Sequence, residues 1–147
     1  MACQHIRLAG AGQSSSDLIG GRLRFEHWFD CQPERELAVS LDGADGIVFW
    51  VRLLRRDLKI AWENGNYNPD FVAVAADGVH WLIEVKSDRD AGNEDVQAKR
   101  AAAQRWANPV TASPKLSGIR WRYLLVREAD LTDARGSWPA LEGLGSA

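Results

Sequence analysis

The chain has little with which to build a disulfide framework, a nucleotide-driven motor or a membrane span. Two cysteines occur in 147 residues. Cys3 and Cys31 have neither metal-ligand spacing nor the makings of a disulfide scaffold, so a reducing cytoplasm is the expected compartment. Three histidines are present, and His5, His27 and His80 form no ligand pattern. No Gly-x-x-x-x-Gly-Lys-Ser/Thr phosphate loop occurs, which excludes a recognisable ATP-driven motor. Arg52 interrupts the longest apolar stretch, so no run reaches membrane-spanning length, and the first residues lack the apolar core of a signal peptide. No internal repeat is visible.

Acids are missing from one long segment as well. The net charge is −2, which by itself does not suggest a nucleic-acid binder. From Gln97 to Arg127, however, there is no Asp or Glu, while Lys99, Arg100, Arg105, Lys115, Arg120, Arg122 and Arg127 are present. The acids gather elsewhere, notably around Asp70 and Glu84 and between Asp88 and Asp95. A one-signed segment beside a carboxylate cluster suits a surface that follows phosphates, with Lys99, Arg100 and Arg105 as candidate contacts. The alternative is a solvated helix face followed by an edge strand.

What the chain does have is a hydrophobic content of 46% and seven tryptophans, enough for one domain with a real core. Trp106 and Trp121 fit helix and strand packing better than base stacking. The most informative stretch runs Tyr67-Asn68-Pro69-Asp70-Phe71-Val72-Ala73-Val74, turns at Asp77-Gly78, and continues His80-Trp81-Leu82-Ile83-Glu84-Val85-Lys86. An acid enters one apolar strand; a second acid and a lysine leave the next. Because strand side chains alternate, Glu84 and Lys86 project to one face and Ile83 and Val85 to the other. A three-residue loop, Ala76-Asp77-Gly78 with Gly78 in the left-handed region, sets Asp70 across from Glu84. A two-residue loop turns Asp70 away unless the strand bulges. The longer loop or a bulge is therefore expected.

Two carboxylates converging on a strand face repel each other unless a cation lies between them. Hard oxygen ligands favour Mg²⁺ or Mn²⁺. Such an ion polarises a phosphate and activates water, while Lys86 orients that water or offsets developing charge. On a solvated strand the same Glu-x-Lys would be a simple charge pair, but acids inside a run as apolar as Trp81 to Val85 favour a site. His80 shares the face yet stands about 13 Å from Glu84 along a strand.

The order of elements follows from the pattern. Residues 1–24, rich in Gly and Ser, read as a flexible segment or linker; 25–128 form the domain; 129–147 read as a weakly structured tail. A first helix is expected from Pro33 to Leu41, with Leu37, Ala38, Leu41 and Glu34 on one face. Gly46 to Asp57 is open between a short helix and an irregular strand. A first strand is expected at Leu58–Trp62, followed by a turn at Asn64-Gly65-Asn66. After the hairpin come an acidic loop, a helix from Glu94 to Ala107 ending before Asn108-Pro109, and a last strand at Ile119–Val126. The fold class is α/β, a mixed sheet flanked by helices in αβββαβ order.

Through Pro69-Asp70 and Glu84-Val85-Lys86 the chain resembles the PD-(D/E)XK nuclease superfamily. More narrowly, it is similar to the C-terminal endonuclease domain of the restriction subunit of type III restriction enzymes. Supporting stretches are Phe29 to Ala38, Tyr67 to Phe71, Leu82 to Lys86 and Asp95 to Lys99 running on to Trp106. The similarity spans about residues 25–127 and departs at Cys31, where serine would open the first helix. The resemblance implies a restriction-endonuclease-like core and Mg²⁺- or Mn²⁺-dependent hydrolysis of phosphodiester bonds in DNA. It implies Asp70, Glu84 and the Val85 carbonyl as metal ligands and Lys86 as the catalytic lysine. Glu34 is a further catalytic candidate from the first helix, although its spacing from Cys31 equally fits a capping box. Glu36 faces away from that helix's apolar stripe. Gln97 is implied as a DNA contact, with a solvent-facing role as the alternative. Implied partners are DNA, a helicase-like ATPase domain and a modification methyltransferase. The Gly/Ser-rich start then reads as a domain boundary or as the start of a compact stand-alone version. Two other classes remain open: a non-catalytic DNA-binding or assembly module on this fold, and a repair or junction-resolving nuclease.

Overall fold

The computed structural model describes residues 6–7, 28–29, 31–54, 57–116 and 119–145. The expected flexible segment 1–24 lies outside the described residues apart from Ile6–Arg7. That pair forms β1, which pairs antiparallel with β2 (Trp28–Phe29).

The first helix, α1, spans Gln32–Gly43 with proline in its opening turn. Leu37, Ala38 and Leu41 are buried, and Glu34 with them. Cys31 is the N-cap but makes no side-chain cap bond, as a thiol's weak hydrogen bonding predicts. β3 then runs Ile47–Arg52. This differs from the expected first strand at Leu58–Trp62 and resolves the open Gly46–Asp57 stretch as an irregular strand. Ile47, Val48, Phe49, Trp50 and Val51 are β-branched or aromatic and favour a pleated surface. A register shift between Ile47 and Phe49 breaks their regularity.

Ile60–Trp62 is β4, and it pairs with β5 (Gly65–Tyr67) as a separate two-stranded ribbon. Gly65 has φ +128° at the turn, a backbone state that L side chains rarely adopt. The hairpin follows: β6 (Phe71–Ala75) and β7 (Val79–Lys86), antiparallel. Its loop is Ala76-Asp77-Gly78, the three-residue form, with Gly78 at φ +84° and its N–H on the Ala75 carbonyl at 2.9 Å. α2 (Glu94–Thr111) crosses over to β8 (Arg120–Arg127), which lies parallel to β7. The central sheet is therefore mixed, four-stranded, in order β3-β6-β7-β8.

α2 continues through Asn108-Pro109 rather than ending before it. Proline removes one N–H bond and crowds the preceding turn. The helix still closes its last turn, with the Ala112 N–H on the Asn108 carbonyl at 3.0 Å. At the other end Asn93 accepts from the Asp95 N–H at 2.9 Å, and Glu94 and Asp95 complement the helix dipole.

The tail expected to be weakly structured instead forms α3 (Glu128–Ala134) and α4 (Trp138–Gly145). Arg127 and Asp130 make a reciprocal cap at the start of α3, joined by a guanidinium–carboxylate bond of 2.7 Å. Leu131, Ala134, Trp138 and Leu141 are all buried in one core. Their spacing of three, four and three is helical, and the turn between the helices is absorbed by Arg135 and Gly136, both at positive φ.

Two cores sandwich the sheet. Phe71, Ala73, Trp81, Ile83, Val85, Leu124 and Val126 pack against α1, α3 and α4. On the opposite face Leu82, Tyr123 and Leu125 pack against α2 and the β4–β5 ribbon. The protein is thus α/β with helices on both faces of a mixed sheet. Among the described residues no helix is long and apolar enough to cross a membrane.

Candidate active site

The register of the β6–β7 hairpin brings the acids together. Phe71 stands opposite Ile83, so the next position outward sets Asp70 beside Glu84. The regular ladder ends there. The Asp70 N–H donates to the Ile83 carbonyl at 3.0 Å, and the Leu53 N–H donates to the Asp70 carbonyl at 2.8 Å. Asp70 is thereby clamped between β7 and the end of β3. Its Oδ2 accepts the backbone N–H of Val85 at 2.8 Å, so the acid reaches the backbone of the residue after Glu84.

Glu84 is 3% exposed, and each of its oxygens has a donor. Oε2 accepts the Tyr123 hydroxyl at 2.9 Å, and Oε1 faces the Lys86 Nζ at 3.0 Å. Tyr123 reaches Glu84 because parallel pairing sets it beside Leu82, on the face that Glu84 shares. A carboxylate this buried is costly unless paired. Here an ammonium and a phenol divide it. Asp70 and Lys86 are less enclosed than Glu84, so the cluster opens to solvent through those two groups.

The electrostatics bind the set together. Burial pushes the Asp70 carboxyl up to about 7; Lys86 and the Val85 N–H pull it down, while Glu84 and Glu34 push it further up. Burial alone would lower Lys86, but Glu84 and Asp70 outweigh it and hold the ammonium above its ordinary value. The phenols of Tyr123 and Tyr67 are both raised, first by burial and then by Glu84.

Asp70, Glu84 and Lys86 therefore meet, with Val85 joined through its backbone. Glu34 is bonded to Arg52: its Oε2 accepts from Arg52 Nε at 3.2 Å and from a terminal nitrogen at 3.1 Å. Its charge still reaches Asp70 and Lys86. Glu36 is exposed, bonded to Gln32 at 3.1 Å. Gln97 donates to the Ala91 carbonyl at 2.7 Å, fastening the loop before α2. Lys99 lies 4.8 Å over the Trp62 ring, and its carbonyl accepts the Tyr67 hydroxyl at 2.9 Å. Arg100 borders a cleft beside β8, and Arg105 is exposed. Of the other cations, Arg127 caps α3, and Arg120 and Arg122 lie 4.0 Å from Asp77 and 3.9 Å from Glu142. Trp106 and Trp121 pack edge to face at 5.3 Å.

Tyr123 and Tyr67 were not singled out from sequence. Tyr67 lies in the informative stretch itself. Tyr123 is placed only by the register between β7 and β8, which no local pattern reveals. Among the described residues no three His, Cys, Asp or Glu side chains converge as a ligand cage. The oxygen donors at hand are two carboxylates. Their chemistry fits a hard divalent cation, because Asp70 is a partly enclosed acid whose charge Lys86 only partly offsets. No family model matches the chain, and no curated protein matches it.

Proposed function

We propose that this chain is a metal-dependent DNA endonuclease domain that hydrolyses phosphodiester bonds on a restriction-endonuclease-like core. Its relatives by resemblance are the PD-(D/E)XK nucleases, and more narrowly the nuclease domain of type III restriction subunits. One observation carries the reading. Asp70, held by the Val85 N–H at 2.8 Å, and Glu84, joined to Lys86 at 3.0 Å, share a strand end that opens to solvent. The order α1, β3, β6, β7, α2, β8 supports the same fold, with β4–β5 as an insertion.

Asp70 and Glu84, with the Val85 carbonyl, would hold Mg²⁺ or Mn²⁺. When bound, such an ion supplies Lewis-acid polarisation of the scissile phosphate and a more acidic water. The chain's own groups do the rest. Tyr123 fixes the Glu84 carboxylate, and the Val85 N–H fixes Asp70, so neither acid must reorganise as charge develops. Lys86, kept as an ammonium by its carboxylate neighbours, donates to the attacking water or to the phosphate and offsets negative charge there. Glu34 adds negative potential from α1. Lys99, Arg100 and Arg105 on α2 supply phosphate contacts. A translocating ATPase and a modification methyltransferase would supply licensing and sequence recognition.

Supercoiled plasmid incubated with Mg²⁺ tests the reading. Wild type nicks or linearises it, and Lys86→Ala lowers the rate by about 10²-fold or more. Equal rates would remove Lys86 from the chemistry. A non-catalytic DNA-binding module is the second reading, favoured by the lack of a third converging acid among the described residues. It gives salt-sensitive binding with no metal-dependent cleavage.

A further inference from the structure

α2 carries a polar stripe of which the proposed function uses only Arg100. Arg100, Gln104 and Asn108 recur every four residues and so lie along one side of the helix. They border a cleft of about 340 Å³ whose other wall is the start of β8, at Trp121, Arg122 and Tyr123. β8 is an edge strand of the central sheet, so no further strand of that sheet covers this side.

The Trp121 ring is held in place by Trp106 at 5.3 Å and His80 at 5.0 Å, yet it stays partly exposed. The Arg122 guanidinium lies 5.1 Å over the Trp81 ring. Among the described residues it forms an ion pair with Glu142 at 3.9 Å, with the two side chains 58% and 37% exposed. A pair that open to water is weak and exchangeable.

The lining has a specific chemistry. Guanidinium groups bind phosphate, amides read the donor and acceptor edges of bases, and an indole face stacks on any base. The volume falls at the lower end of small-ligand pockets, the scale of one nucleotide and not of a base pair. Bases stacked inside a duplex cannot present their faces to an indole. We infer that the cleft beside β8 is a subsite for an unpaired nucleotide in a single-stranded segment of DNA.

The subsite adjoins the candidate active site through Tyr123. Its side chain lines the cleft, and its hydroxyl donates to Glu84 at 2.9 Å. Tyr123 pairs with Leu82 and Trp121 with His80, two and four residues before Glu84 on β7. At the strand rise these levels lie about 7 and 13 Å from the acid. The cleft and the carboxylates thus lie within a few nucleotides' length of each other. The inference rests on the nuclease reading for the fate of the bound strand, though not for the binding itself.

Fluorescence anisotropy in EDTA separates the two. The probes are a labelled twelve-nucleotide oligothymidylate and a blunt duplex of the same length. Wild type binds the single strand more tightly. Trp121→Ala and the double variant Gln104→Ala/Asn108→Ala each weaken single-strand binding by about tenfold, as loss of one stacked or hydrogen-bonded base would. Duplex binding changes less than about twofold. The double variant alters only exposed side chains, so it serves if loss of the Trp121 ring unfolds the chain. Equal loss for both probes, no loss for either, or equal displacement of the single strand by polyglutamate would overturn the assignment. Plasmid cleavage with Mg²⁺ is scored separately: its absence sinks the nuclease reading while leaving the cleft result intact.

Discussion

Asp70 Oδ2 accepts the N–H of Val85 at 2.8 Å, a side-chain bond formed just where the β6–β7 ladder stops at Phe71 and Ile83. The bond fixes an acid to the strand that carries the other acid and the lysine. Burial nevertheless drives the Asp70 carboxyl up to about 7, against the pull of Lys86 and of this bond.

That elevation gives the metal-free protein a defined pH dependence. An acid whose folded value lies above its unfolded one is protonated preferentially in the folded state. Between the ordinary value of 3.8 and about 7 the folded chain therefore binds more protons, and stability falls as pH rises. Urea midpoints in EDTA should decline across this window. Mg²⁺ should stabilise increasingly as pH rises through it, because a cation favours the ionised carboxylate. A flat profile in EDTA would show that Asp70 titrates normally.

Asp70→Asn removes that charge and keeps an oxygen for the Val85 N–H. In EDTA at pH 8 the variant should be more stable than wild type by about 1 kcal/mol. Thermal melts should also show no further gain on adding Mg²⁺, in contrast to wild type. Cleavage should be lost. Stability and activity thus move in opposite directions, as expected of an acid retained for chemistry.

Tyr123→Phe deletes the hydroxyl that donates to Glu84 Oε2 at 2.9 Å. A buried bond to a charged group contributes about 1.5–3 kcal/mol, so denaturant midpoints should fall accordingly. With the carboxylate less well held, the Mg²⁺ concentration for half-maximal cleavage should rise. Unchanged stability and metal dependence would mean that water replaces the phenol without loss.

The loop is where register is decided, and it was legible in the sequence. Asp77-Gly78 marked the turn, and period-two alternation required either the three-residue loop or a bulge for the acids to face each other. Deleting Ala76 should shorten the loop and shift Asp70 by one position, away from Glu84. Cleavage should vanish and the urea midpoint should fall, because the same slip turns Phe71 and Ala73 out of the core. Retained cleavage would show that the two acids need not share a face.

Other parts were less legible, for physical reasons. Ile47 to Val51 is too short a run for periodicity to separate strand from helix, and a register irregularity near Val48 blurs the alternation further. Ile60–Trp62 has strand composition but pairs locally with Gly65–Tyr67 instead of joining the central sheet, a choice of partner that composition alone does not reveal. Pro109 misled because proline near a helix end costs little once the last turn closes behind it. Tyr123 and Arg52 meet the acids through tertiary pairing alone. Leu131, Ala134, Trp138 and Leu141 form a helical stripe, but the glycines around it make 129–147 read as a weakly structured tail.

That stripe makes the C-terminal helices part of the core. Trp138 is buried, with its ring edge-on to Trp81 at 5.7 Å, and Trp81 lies in β7 between His80 and Leu82, a few residues before Glu84. Trp138→Ala should cost about 3–5 kcal/mol, the range for emptying an aromatic site in a packed core. Removing residues 128–145 should leave no cooperative unfolding transition, because α3 and α4 cover one face of the sheet. Removal from Gly143 onward should be tolerated, since the anchoring Leu141 remains. A fully folded truncation at Arg127 would show that α1 alone can shield Trp81, Leu124 and Val126 from water.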